Sequence, residues 1–326
     1  MPVLMRRSQQ SSSWHPVVEG ENYDSDHRTA EAGDATFSNQ AIRATWRTRI
    51  RSNIVSQCAN PTCRTSWLQL WRGRSVPVFE NGWTCSAACT LSRMRAALRR
   101  ELDDRGSNRE VHRHRIPLGL LMLEQGWITP QQLRQALDKQ RAAGSGRLGE
   151  WLVRDRAVKE AHVTRALALQ WSCPVLESDG RDPSSMTVAL PRLFVDAFGA
   201  LPLRLASGRI FYFGFEQSLD RVVARGAERM LGLRVECGIV PSSAFRINHR
   251  RMLDAVFPPV ELIEAATESA AACALARALE KARPLASRLV RVHDCLWLRL
   301  WIRHSEGALP EREDVRDVIC SIEDAR

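Results

Sequence analysis

The stretch "RLGEWLVRDRAVKEAHVTRALALQ", Arg147–Gln170, repeats a pattern written thirty residues earlier as "PLGLLMLEQGWITPQQLRQALDKQ", Pro117–Gln140. The two align without a gap. Leu118 matches Leu148, Gly119 matches Gly149, Leu137 matches Leu167 and Gln140 matches Gln170. Gly126 ends the first apolar stretch, where a left-handed residue past a helix end is expected. Thr129, Pro130 and Gln132 then supply an N-cap, a first-turn proline and a capping-box partner. "AAGSG" at 142–146 breaks the chain before the second helix pair. A helical core explains the leucine spacing. It does not call for paired Leu-Gly openings or paired terminal glutamines.

Outward from the repeat, the chain reads as a multidomain α+β protein. Residues 1–45 are polar, carry no period of 2 or 3.6, and read as a disordered tail. Residues 54–104 form a small cysteine module that runs into a basic helix, and 105–115 is a linker. The tandem helical subdomain spans 116–171. A small α/β sandwich follows over 172–254. In it, "ALPLRLASGRIFYFGFE" reads as a hairpin about Ser207-Gly208. "SLDRVVARGAERMLG" reads as an amphipathic helix, "LRVECGIV" as a third strand, and "PSSAFRINHRRML" as a helix capped by Ser242 or Ser243.

The last region, 258–326, is a short α/β tail. It is expected to open with an alanine-rich helix over roughly 260–281. In "SRLVRVHDCLWLRLWIR" the even positions Val290, Val292, Leu296, Leu298, Leu300 and Ile302 are expected on one strand face. Asp294 marks a tight hairpin within that stretch. Val315, Val318, Ile319 and Ile322 stand at helical spacing, which predicts a closing helix.

The 326 residues are 44% hydrophobic and carry a net charge of +10. Lys139, Lys159 and Lys281 are the only lysines, so the basic excess is arginine. Arginine suits planar contacts with phosphate, carboxylate and guanine edges. A high-GC genome gives the same bias. No apolar run approaches the roughly 18 residues of a membrane helix. The first residues lack a signal-peptide core. A cytoplasmic protein without membrane insertion is expected.

The segment 116–254 resembles the N-terminal domain of type II secretion and type IV pilus assembly ATPases (GspE N-terminal, MshEN type). The resemblance rests on the tandem "RLG…G…L…L…Q" pattern and the α/β unit with its "LPL" strand. It implies cyclic di-GMP as ligand. Two similar half-sites suit a two-fold symmetric dinucleotide, an arginine can meet a guanine edge or phosphate, and glycine permits close approach. Carried over, the ligand-binding residues are Leu118, Gly119, Gln140, Arg147, Leu148, Gly149 and Gln170.

Each copy departs from the pattern once. The second has Arg156 where the mid-motif glycine belongs. If that position needs φ > 0, Arg156 costs about 1 kcal/mol or more. The first has Pro117 in place of the leading arginine, with Arg115 two residues earlier. Losing one charge-assisted hydrogen bond removes about 1.5–3 kcal/mol, or one to two powers of ten in affinity. Two outcomes follow: a domain that still binds the nucleotide, or one that kept the fold and lost the ligand.

The motor of such ATPases needs a G-x-x-x-x-G-K-[ST] phosphate loop. The three lysines stand in "DKQ", "VKE" and "EKA", so no such loop exists here. The eight histidines form no spaced cluster, and no nucleophile elbow, HExxH or dinucleotide fingerprint is present. A non-enzymatic protein is expected.

Cys58-x4-Cys63 and Cys85-x3-Cys89 pair at two short spacings. Four thiolates so placed can close a structural Zn²⁺ site, in a module of treble-clef or zinc-ribbon type. Trp67, Leu68, Leu70, Trp71, Val78, Phe79 and Trp83 would supply its small core. Buried free thiols and a redox pair are the other readings. The remaining cysteines read as buried hydrophobes. Arg93, Arg95, Arg99 and Arg100 follow the module on a helix, which is either a solvated basic face or a nucleic-acid contact.

Together these features describe a regulatory or adaptor protein. Its implied partner is secretion or pilus-type machinery, and its implied ligand is cyclic di-GMP. A pure interaction scaffold and a zinc-dependent nucleic-acid binder are the alternatives.

Overall fold

A computed structural model describes residues 58–63, 77–80, 82–103, 115–177, 183–305, 307 and 309–323. The expected tail, all of the linker but Arg115, and Trp67, Leu68, Leu70 and Trp71 lie outside the described residues.

The cysteine module holds a short hairpin, β1 (Val78–Phe79) and β2 (Gly82–Trp83), then helix α1 (Ala87–Asp103). The tandem repeat is four helices: α2 (Leu118–Glu124), α3 (Pro130–Ala143), α4 (Leu148–Arg154) and α5 (Glu160–Trp171). Thr129 caps α3 by accepting from Gln132 N–H, while Gln132 Oε1 accepts from Thr129 N–H, as the sequence implies.

Next come α6 (Arg192–Phe198), β3 (Leu201–Ala206), β4 (Ile210–Phe215), α7 (Arg221–Leu231), β5 (Arg234–Ile239) and α8 (Ser242–Asp254). The strands form a sheet in the order β3-β4-β5. The hairpin β3–β4 turns at Ser207-Gly208, and β4 runs parallel to β5. Asp220 caps α7 through Val222 and Val223 N–H. The N-cap of α8 is Pro241, and neither Ser242 nor Ser243 caps it. The carboxylate of Glu160 on α5 takes the Ser243 N–H instead (2.7 Å), so a neighbouring helix supplies the missing acceptor.

The last region departs most from expectation. It comprises β6 (Val260–Ala265), α9 (Glu268–Ala282), β7 (Ala286–Val292), β8 (Cys295–Trp301) and β9 (Val315–Ile322), with the sheet in the order β6-β9-β8-β7. Residues 260–265 are strand, not the start of a helix. They pair in parallel with β9, and α9 begins only after Thr267, which accepts from Ala270 N–H.

Residues 315–322 are also strand, not helix. β9 lies between β6 and β8 and is buried on both faces. Alternation disappears in such a strand, and its apolar residues then mimic a helical stripe. Nor do the even positions of 290–302 share one face. The two-residue turn His293-Asp294 pairs Val290 with Trp297 and Leu289 with Leu298, so parity switches across the hairpin.

That sheet separates two cores. Val290, Val292, Trp297 and Ile319 face the β3-β4-β5 unit, with the Trp297 ring edge-on to Phe194 at 5.5 Å. Leu289, Leu296, Leu298, Leu300 and Val318 face α9 and α1. Phe79 of the cysteine module is fully buried in this second core. Val78 N–H bonds Pro284 O and Glu80 N–H bonds Ser287 O, which ties β1 to the β7 edge.

Two unexposed charges lie on this sheet. Arg299 and Asp317 close a double hydrogen bond at 2.8 Å each, Trp297 Nε1 adds a third to Asp317 (2.7 Å), and Arg299 also reaches Val188 O. Every partner is satisfied, as a buried ion pair requires. Among the described residues, no helix is long and apolar enough to cross a membrane.

Candidate functional site

The two repeat copies are related by a pseudo-two-fold exchange. A Cβ at Gly119 would lie 2.8 Å from Leu133 Cδ1 and 3.2 Å from Leu148 Cδ2. At Gly149 it would lie 2.6 Å from Val163 Cγ1 and 3.7 Å from Leu118 Cδ2. Those neighbours correspond at the same offset of thirty. The paired glycines therefore let each copy's leading leucine rest on the other copy. The paired glutamines follow the same rule. Gln140 donates to Gly146 O (2.9 Å), just before the second copy, and Gln170 to Ile116 O (2.7 Å), just before the first. Each copy's end thus holds the other's beginning.

The mid-motif turns correspond as well. Gly126 has φ +67° and Arg156 has φ +56°, so the arginine occupies a left-handed position. Arg115 does not replace the missing first-copy arginine in the cleft. Its guanidinium lies over the Trp171 ring, 3.2 Å from the centroid.

Leu118 and Leu148 meet at the edge of a cleft of about 340 Å³ formed by α4, α5 and the start of α8. Of the residues expected at a ligand site, Leu118, Arg147, Leu148 and Gly149 line it. Gly119, Gln140 and Gln170 are not among its lining residues. Their described contacts hold the repeats together.

Among the cleft's other polar lining residues are Glu150, Glu160, Ser243 and Arg246, which the sequence pattern does not assign to a ligand site. Arg246 bonds Glu150, and its Nε donates to Glu216 Oε1 at 3.0 Å. Arg147 lies 3.5 Å from the other oxygen of Glu216. The Arg246 hydrogen bond outweighs burial and, with the Arg147 N–H, holds the Glu150 carboxyl below its usual range. Arg246 is some hundred residues from Arg147 in sequence, and no motif marks it.

The four cysteines converge. The sulfurs of Cys58, Cys63, Cys85 and Cys89 all lie within 4.8 Å of one another, with Cys63–Cys85 at 3.5 Å and Cys85–Cys89 at 3.6 Å. A tetrahedral ion with metal–sulfur bonds of about 2.3 Å sets its sulfurs about 3.8 Å apart, so the donor set fits. Asn60 Nδ2 donates to Cys89 Sγ (3.3 Å), as an outer-shell partner would. Burial pushes the Cys58 thiol up to about 12, so an incoming cation must displace its proton. Elsewhere, burial pushes Cys237 to about 12 and Cys320 to about 11, which suits inert packing thiols.

Two of the four arginines on α1 are structural. Arg93 donates to Ala59 O (3.0 Å), and Arg100 pairs with Glu80 and Glu101. Arg95 and Arg99 are exposed. His293, beside the exposed Asp294, bonds instead to Asp220 (2.7 Å) and stacks on Phe198.

No family model and no curated protein matches the chain. Among solved structures, one of MshE with cdg is similar at 25% identity, over 42% of this chain and 99% of that one, with a TM-score of 0.35.

Proposed function

We propose that this protein is a non-enzymatic, cytoplasmic regulatory or adaptor protein. In this reading it is a freestanding relative of the regulatory N-terminal domain of secretion and pilus ATPases. It takes cyclic di-GMP at the cleft that the second repeat forms with α8 beside Leu118, and passes the signal to a protein partner of secretion or pilus-type machinery. The observation that carries the reading is the shared cleft of Leu118 and Leu148, with Arg147 and Arg246 on its polar side. Leucines can cover a purine face, and guanidiniums match phosphate and guanine edges. Helix α8 brings the α/β unit into a wall otherwise made by the second repeat, so binding would bias how the repeats sit on that unit. The cysteine cluster holds a structural Zn²⁺, with all four positions filled by thiolate and none open to water.

Calorimetry tests the ligand. Heat with saturation at one cyclic di-GMP per chain is expected. No heat at high micromolar ligand, with folded protein, ends the nucleotide reading. Metal analysis of the purified protein tests the zinc, expected at one ion per chain.

A second reading has support of its own. Pro117 offers no donor, and Ile116, Leu120 and Leu169 are each 53% exposed. These favour a scaffold that binds protein without any nucleotide. Silent calorimetry with an intact fold would select it.

A further inference from the structure

The cationic side of the cleft is already engaged by the protein's own carboxylates. Glu216, just past the end of β4, takes two of the three arginines that line the cleft: Arg147 from the second repeat (3.5 Å) and Arg246 from α8 (3.0 Å). The third, Arg154, lies over the Trp151 ring. The Glu216 side chain is 17% exposed, whereas those of Arg147 and Arg246 are 54% and 59% exposed. Glu150 also holds Arg246, through Nη2. A carboxylate between two guanidiniums has the charge and bond directions that a phosphate would have there. Arg246 also brings to the cleft a guanidinium that the first repeat, with Pro117, cannot supply.

We infer that Glu216 is a built-in competitor for an anionic ligand, holding Arg147 and Arg246 together until a phosphate group takes its place. The ligand's identity as a dinucleotide rests on the function proposed above. The competition itself requires only an anion. Ion pairs this exposed are individually weak, so a ligand that meets both guanidiniums at once can displace them. Arg147 and Arg246 belong to different units, so the exchange also releases one tie between the repeats and the α/β unit. Glu160–Ser243 remains to keep them together.

The test compares the wild-type chain with Glu216→Gln, which keeps the shape and removes the charge. The probes are cyclic di-GMP, read by calorimetry, and inorganic pyrophosphate, read by its shift of the thermal midpoint. The variant is expected to bind cyclic di-GMP about tenfold tighter or more and to gain more midpoint from pyrophosphate. Both gains should vanish in Glu216→Gln/Arg246→Gln. A pyrophosphate gain without cyclic di-GMP binding supports the competitor and removes the dinucleotide reading. Equal cyclic di-GMP affinity in wild type and variant overturns the competitor and leaves that reading standing. No gain with either probe also overturns the competitor. Should circular dichroism show Glu216→Gln misfolded, Glu150→Gln, which frees only Arg246, carries the comparison. A smaller gain in the same direction is then expected, and no gain overturns the inference.

Discussion

Gln170 donates its side-chain amide to the carbonyl of Ile116, fifty-four residues earlier, at 2.7 Å. That bond fastens the last residue of the second repeat to the residue preceding the first, and Gln140 makes the matching bond to Gly146. A typical hydrogen bond contributes about 1 kcal/mol. Gln170→Ala and Gln140→Ala should each lower unfolding free energy by about that much in urea titrations. The two sites share a helical bundle, so the double variant should depart from simple additivity.

The turn at Arg156 offers a test in both directions. Nothing lies within 4 Å of a Cβ built at Gly126, so Gly126→Ala meets only the φ > 0 penalty. It should destabilise by about 1 kcal/mol. Arg156→Gly relieves the same strain but adds freedom to the unfolded chain, so a smaller stabilisation is expected. A destabilised Arg156→Gly would mean that the arginine side chain contributes more than its backbone costs.

Removing one partner of the Arg299–Asp317 pair leaves a buried charge without compensation. Arg299→Met or Asp317→Asn should each cost about 3–5 kcal/mol. Arg299→Met/Asp317→Leu should cost less than the sum, because neither charge is stranded. Chemical denaturation of all three variants measures the coupling.

Asp220 provides a pH test. Burial alone would raise its carboxyl, but the His293 hydrogen bond and the Val223 and Val222 N–H groups outweigh burial and hold it below the ordinary value. A carboxyl depressed in the folded state contributes stability above its unfolded pKa, near 4, and loses it as pH falls through the folded value. The stability gap between wild type and Asp220→Asn should therefore be open above about pH 4 and close below it. Urea midpoints across that range measure it.

Metal removal should be felt far from the cysteines. Phe79 and α1 pack in the core shared with α9. Cys89→Ser should abolish stoichiometric zinc and lower the thermal midpoint of the whole chain. A variant that loses zinc and keeps the wild-type midpoint would show that the cluster does not support that core.

Local capping signals placed some helix starts but not all: α8 starts after Pro241 without the expected serine cap. Thr129-Pro130-x-Gln132 set the start of α3, and Asp220 sits at the N-terminus of the helix expected near it. The cysteine spacings led directly to the converged sulfurs. The last region failed for a physical reason. A strand buried on both faces carries no period of two, so Val315, Val318, Ile319 and Ile322 fit either element. Parity along 290–302 depended on a two-residue turn that hydrophobicity does not report. The site was half legible: a duplicated motif marks Leu118, Arg147, Leu148 and Gly149, but nothing local marks Glu216 or Arg246. Their role arises only when chain folding brings α8 beside α4.

The β6-β9-β8-β7 sheet is a party wall. One side is furnished by Phe194 and its aromatic neighbours, the other by Phe79, α1 and α9. Neither room can be demolished without baring the wall to water. A chain cut after Asp254 would therefore forfeit the second interior and lay open one side of the first, so the region that looked like an appendage in the sequence is one that the rest is built against.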